Sequence, residues 1–173
     1  VPANTVKEVL ELAKRDSKGL NYGSFGVGTT AHLAGEMFKV MTGANMVHVA
    51  YRGSAPAMTD LMGGQIPLSF DISVAAMPQL AMGKVKAIAV TTRQRSPQMP
   101  QVPTVAESGF PDYEMVPWIG FVTRRGTPTA ISAKLSQALK DCLSDPVIKA
   151  DLQKTGLDVQ FQPGTVYDTK VAQ

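Results

Sequence analysis

Apolar positions along the chain follow two spacings. Val6, Val9, Leu10 and Ala13 recur at i, i+3, i+4 and i+7, which places them on one face of a helix. Thr5 and Glu8 form a capping box at its start, each side chain satisfying an amide the helix leaves free. Residues 16–19 close that helix, and Leu-Asn-Tyr-Gly-Ser at 20–24 predicts a short strand. Leu33, Met37, Val40 and Met41 then mark one face of a second helix, stopped by Gly43. Strands are predicted at 46–51 and 66–71. Between them lies a short helix with Pro56 in its first turn, where a missing amide costs little. A helix over 73–84 ends at Gly83. The run Val-Lys-Ala-Ile-Ala-Val-Thr-Thr at 85–92 is the most hydrophobic strand, predicted to be buried on both faces.

Strand and helix therefore alternate three times before a fourth strand, a pattern that predicts an α/β fold with a mostly parallel sheet flanked by helices. The texture changes after Thr92. Residues 93–111 are rich in proline and predict an irregular connection with one short helix, capped by Thr104 and Glu107. Trp-Ile-Gly-Phe-Val-Thr at 118–123 reads as another strand. Thr127-Pro128 and Asp145-Pro146 are cap-plus-proline signals for two further helices, and residues 164–173 begin a last one. Cys142 is spaced helically with Ile131, Leu135 and Leu139, and is expected in the core. No internal repeat or low-complexity tract is present.

Composition narrows the function classes. The 173 residues are 44% hydrophobic and 18% charged, as in ordinary globular domains. The net charge of +3 falls short of the dense basic stripe expected for nucleic acid. Arg93/Arg95 and Arg124/Arg125 read as solvated loop charges. Apolar runs are far too short to span a bilayer. One cysteine excludes an internal disulfide framework, and two histidines, His32 and His48, make no metal set with it. The opening residues lack the apolar core of a signal peptide.

In open α/β sheets ligands bind beyond the carboxyl ends of the strands, where helix N-termini also point. The strand-to-helix turns are Ser24–Thr30, Tyr51–Ser54 and 71–73. The first two are rich in glycine and hydroxyls, and free amides plus the helix dipole make such turns anion sites. Gly28 and Gly53 give the backbone freedom to approach a ligand. Ser24, Thr29 and Thr30 offer hydroxyls, and Thr29 also caps its helix. Each turn alone is accounted for as a cap; two neighbours of the same character point to a site. His32, in the first turn of its helix, is either a packing residue or a donor at the rim. Asp71 either caps the next helix or binds an ammonium or hydroxyl. The stretch Gly26-Val27-Gly28-Thr29-Thr30-Ala31 also fits G-x-G-x-x-A, a dinucleotide fingerprint, which keeps an NADP-dependent oxidoreductase as the alternative. Arg52 stands where that fold usually carries an acidic residue. No catalytic constellation accompanies it: H-E-x-x-H, G-x-S-x-G and the P-loop are all absent.

Four stretches carry a resemblance: LNYGSFGVGTTAHLAGEMF, HVAYRGSAPAMTDLMGGQI, KAIAVTTRQRSPQMPQVPTVAESGFPDYE and GTPTAISAKLSQAL, in this order and spacing. Together they resemble the Bug or TctC-type periplasmic solute receptors of tripartite tricarboxylate transporters, over almost the whole chain. The resemblance implies a Venus-flytrap fold with residues 1–116 as the second lobe. Residues 117–173 become a crossover strand and C-terminal helices returning toward a first lobe, most of which would be missing. It implies a periplasmic, monomeric receptor without a cofactor or enzymatic activity. Its ligand would be a small carboxylate or amino acid, passed to membrane permease subunits. The resemblance places Ser24, Gly28, Thr29, Thr30, Tyr51, Gly53, Ser54 and Asp71 in the ligand cleft, and with His32 at the rim these are the expected ligand residues. Family members carry a further N-terminal segment with a signal sequence and another glycine-rich loop, so this chain is expected to be a partial one. Val27 stands where a polar residue is common.

Overall fold

The structure, a computed structural model, describes residues 2–166. It divides into two compact units, Val1–Pro117 and Trp118–Gln173.

The first unit opens with α1 (Val6–Arg15), whose capping box is formed: Glu8 donates its amide to Thr5 Oγ1 at 3.2 Å, and Thr5 donates its own to Glu8 Oε2 at 3.2 Å. Val6, Val9 and Ala13 are its buried stripe. Then come β1 (Leu20–Ser24), α2 (Thr30–Thr42), β2 (Met46–Ala50), α3 (Ser54–Met62), β3 (Leu68–Ser69) and α4 (Ser73–Ala81). The three strands form one parallel sheet in the order β2-β1-β3. Leu20 is in register with Met46 and Ser24 with Ala50, while Tyr22 is in register with Leu68. Because all three strands run the same way, their strand-to-helix turns share one sheet edge.

Tyr22 sits at the centre of the core with no exposed surface. Its ring meets Phe70 edge to face at 5.5 Å, and Phe38 meets Tyr113 in the same manner at 6.2 Å. Such pairs add to the burial of large rings. The Tyr113 hydroxyl donates to the Ala34 carbonyl at 2.9 Å, which fastens the proline-rich connection to α2.

Helix α2 turns a different face inward from the one its large residues predict. Ala31, Ala34, Gly35 and Phe38 are buried, while Leu33 and Val40 are exposed; Met37 and Met41 only flank the core. The reason is close approach. A Cβ on Gly35 would lie 2.2 Å from a ring carbon of Tyr22, so only small residues admit the tyrosine there. Gly43 ends the helix as predicted, at φ 69°, its amide donating to the Lys39 carbonyl.

Residues 85–92 do not form the doubly buried strand. Only Val90 makes a bridge, with Thr104: its amide donates to Pro103 and its carbonyl accepts from Val105. Pro103 has no amide to extend the ladder, and residues 85–92 are at best half-buried. The predicted capping box at Thr104 is present and opens a single 3-10 turn, Ala106–Ser108.

The second unit contains α5 (Thr129–Ser144) and α6 (Pro146–Lys154), packed on each other. Asp145 caps α6 as predicted, accepting from the amides of Val147 and Ile148. Thr127 does not cap α5: its hydroxyl donates to the Arg124 carbonyl, and Pro128 occupies the cap position without a side-chain bond. Residues 118–123 form no strand, so the predicted crossover strand is absent, and Ile119, Phe121 and Val122 are exposed. Nor is the helical apolar row of α5 a core: Cys142, Ile131 and Leu135 are exposed, because α5 has only α6 to pack on within this unit. Most of the last predicted helix lies outside the described residues. Among the described residues no helix is long and apolar enough to cross a membrane.

Candidate functional site

The glycine loop is built by hydrogen bonds from its own side chains. Ser24 ends β1 and is completely buried. Its hydroxyl accepts from the Gly26 amide at 3.2 Å and lies 2.7 Å from His48 Nε2. Gly26 and Gly28 adopt φ of 144° and 77°, which side chains rarely allow. Thr29 caps α2: its hydroxyl accepts from the His32 amide at 3.4 Å and donates to the Gly26 carbonyl at 2.6 Å. His32 then reaches back, and its Nδ1 accepts from the Gly28 amide at 3.1 Å. The two imidazoles stack with centroids 4.1 Å apart.

The neighbouring turn lies beside this loop, as the parallel sheet requires. The Tyr51 amide donates to the Ser24 carbonyl at 3.0 Å. The Tyr51 hydroxyl donates to Asp60 at 2.8 Å, which ties it to α3. Gly53 precedes α3 at φ 112° with no side-chain cap. Ser54 joins the second turn to the third: its hydroxyl lies 2.6 and 2.5 Å from the two Asp71 carboxylate oxygens. Asp71 also accepts from the Ile72 amide, yet α4 has no side-chain cap, so the capping reading of Asp71 is not realised. Burial pushes the Asp71 carboxyl above its ordinary range, opposed by the Ser54 hydroxyl and the Ile72 amide.

An open recess of about 290 Å³, solvent included, lies at this edge. Thr30, Ala31 and Ala34 of α2 form one wall with Phe25; Phe70, Asp71 and Ile72 form another; Thr91, Met115 and Pro117 complete it. Of the predicted residues, Thr30 and Asp71 line the recess directly, and Ser54 stands behind Asp71. Ser24, Gly28, Thr29 and His32 are spent on the loop itself, and Tyr51 and Gly53 shape the second turn. The apolar lining escaped the sequence reading. Phe70 and Ile72 flank Asp71 and belong to the same turn, a signal that was present. Thr91 and Met115 carried none, because the Thr91 hydroxyl meets the Met115 carbonyl only in the fold.

The recess thus offers a helix start at one end and a carboxylate at the other. The Thr29 cap takes the His32 amide, and the amides of Thr30 and Ala31 are of the kind a helix start leaves without an intrahelical partner. Asp71 favours a donor or a cation. The described residues contain no group of three or more acidic, cysteine or histidine side chains placed to hold a metal.

A family model described as the tripartite tricarboxylate transporter family receptor, TctC, matches residues 1–170. Three solved structures are similar to this chain. A protein of R. palustris with adipate is 33% identical with a TM-score of 0.94, over 99% of this chain and 57% of that one. The periplasmic binding protein BugD is 34% identical with a TM-score of 0.82, over 93% and 54%. MatC of Rhodopseudomonas palustris with bound malate is 29% identical with a TM-score of 0.81, over 91% and 54%. The chain spans about half the length of the curated relatives it matches. It belongs to the TctC family of solute-binding receptors, and its α/β unit with a parallel sheet has the periplasmic-binding-protein fold.

Proposed function

We propose that this chain supplies one wall of an extracytoplasmic receptor site for a small carboxylate that also carries a hydrogen-bond donor, such as a hydroxy acid or an amino acid. The observation that carries the proposal is the recess with the start of α2 on one side and Asp71 on the other. A ligand carboxylate sits at the first-turn amides and the Thr30 hydroxyl, and a hydroxyl or ammonium of the ligand donates to Asp71. The malate of MatC and the adipate of the R. palustris protein support the carboxylate class. The receptor works as a monomer in the periplasm, binds rather than transforms its ligand, and delivers it to the permease subunits of a tripartite transporter. The ligand residues carried by the turns are Thr30 and Asp71, held in place by Ser24, Gly28, Thr29, His32, Tyr51, Gly53 and Ser54. A dinucleotide is disfavoured, because the Gly28 amide that a pyrophosphate needs is already bonded to His32.

Calorimetric titration of the full-length receptor with malate, glutamate, adipate and NADPH tests this reading. Malate or glutamate should bind more tightly than adipate, which lacks a donor for Asp71. The variant Asp71→Asn should narrow that preference about tenfold or more, the loss of one hydrogen bond to a charged group being roughly 1.5–3 kcal/mol. Equal binding of adipate and malate, unchanged in the variant, would remove Asp71 from the site.

A further inference from the structure

Neither histidine lines the recess, yet between them they hold both ends of the glycine loop. His48 is brought from the middle of β2 to Ser24, and Ser24 carries the bond to Gly26. His32 comes from the first turn of α2 and takes the Gly28 amide. The rings lie face to face at 4.1 Å with an interplanar angle of 27°. We propose that His32, stacked on His48, is a proton-operated latch of the glycine loop: while Nδ1 of His32 is unprotonated it holds the Gly28 amide, and a proton added there releases it, whereas the Ser24 hydroxyl keeps His48 in either state.

The geometry gives the direction. An imidazole nitrogen accepts a hydrogen bond only while it is unprotonated. The Gly28 bond therefore requires His32 neutral, with its proton on Nε2, and a proton added at Nδ1 turns the acceptor into a donor facing another donor. Protonating both rings would stack two cations, and His32 disfavours a proton on His48. Three further groups face the pair. From α2, Glu36 and Lys39 bond each other at 2.9 Å; from β1, the Tyr22 hydroxyl donates to Glu36 at 2.7 Å. The Glu36 carboxylate is thus engaged by a phenol and an ammonium, and Lys39 itself repels a proton on His48.

Burial, and then the neighbouring His32, hold His48 below the ordinary imidazole value; Glu36 acts the other way, and Lys39 adds a smaller lowering effect. A depressed value means that the fold favours the neutral ring. The stability it contributes is present above the unfolded value of about 6.5 and is lost as pH falls through the folded one. The latch concerns the loop alone and holds whatever ligand the recess accepts, so its failure leaves the carboxylate reading standing.

The test is a pH titration of the full chain by nuclear magnetic resonance between pH 8 and pH 5, following both imidazoles and the amides of Gly26 and Gly28. The loop amides should shift in a transition that shares its midpoint with a ring, and exchange of the Gly28 amide with solvent, corrected for its intrinsic pH dependence, should rise at least tenfold. In His32→Gln, whose side chain does not titrate, the Gly28 transition should vanish; in His48→Gln, which removes the stacked ring, its midpoint should move. Loop amides that stay fixed while His32 titrates overturn the proposal. So does a loop transition that survives unchanged in both variants, or the absence of ring titration above pH 5. The wild-type titration decides by itself if a variant fails to fold.

Discussion

At the scale of single residues, two hydroxyls that look alike in the sequence do different work. Ser24 is buried and partners His48 and the Gly26 amide, whereas Thr29 caps α2 at the protein's edge. Ser24→Ala should therefore be the more damaging to stability. It leaves buried polar groups unsatisfied at a cost of about 1–3 kcal/mol, against about 1 kcal/mol for the lost cap in Thr29→Ala. Urea unfolding of both variants measures the difference, and equal losses would contradict the loop geometry. Gly35 gives a second case in which the local rule has the wrong sign. Replacing a helical glycine by alanine ordinarily gains about 1 kcal/mol. Here the new methyl would meet the Tyr22 ring at 2.2 Å. Gly35→Ala should instead destabilise by roughly 1–3 kcal/mol through overpacking, which a thermal melt beside wild type would reveal. A gain in stability would mean that Tyr22 can move aside.

At the scale of elements, what the sequence reveals depends on how far the cause lies along the chain. The capping boxes at Thr5–Glu8 and Thr104–Glu107, the Asp145-Pro146 start and the Gly43 stop all form as read, because each is closed by groups within about four residues. The alternation of strand and helix likewise yields the parallel sheet, and through it the shared edge of the three turns. Features that depend on distant partners were hidden. Residues 85–92 have strand composition, but their bonding goes to a proline-rich segment. The inward face of α2 is set by the Tyr22 ring, not by its own large residues. In the site, the turns were legible and the side-chain directions were not. Hydroxyl-rich composition predicts hydrogen bonding but cannot assign it to a ligand or to the loop's own backbone. Helix α5 allows a direct check on one such misreading. With Cys142 exposed, the native chain should react completely with a thiol reagent such as dithiobis-nitrobenzoate within minutes, without denaturant. A thiol that reacts only after unfolding would restore the core reading.

At the scale of the whole molecule, burial is unevenly shared. The first unit holds the sheet and the aromatic core around Tyr22, Phe38, Phe70 and Tyr113. In the second unit, neither α5 nor α6 has a fully buried residue. The candidate recess and the stacked histidines both belong to the first unit.

The central position of β1 also has a kinetic consequence. Both sheet pairings use this one strand, but they enclose different lengths of chain: Leu20 and Met46 are 26 residues apart, and Tyr22 and Leu68 are 46 apart. The longer closure costs about 0.5 kcal/mol more in chain entropy, and β3 offers only two residues in return. The β1-α2-β2 segment should therefore assemble first and serve as the template on which β3 docks. Pulse-labelled hydrogen exchange during refolding should show β2 amides protected before the Phe70 amide that bonds to Gly23. If that order holds, the wall bearing Asp71 forms after the glycine loop, and the α2 side of the recess stands for a time with nothing opposite it.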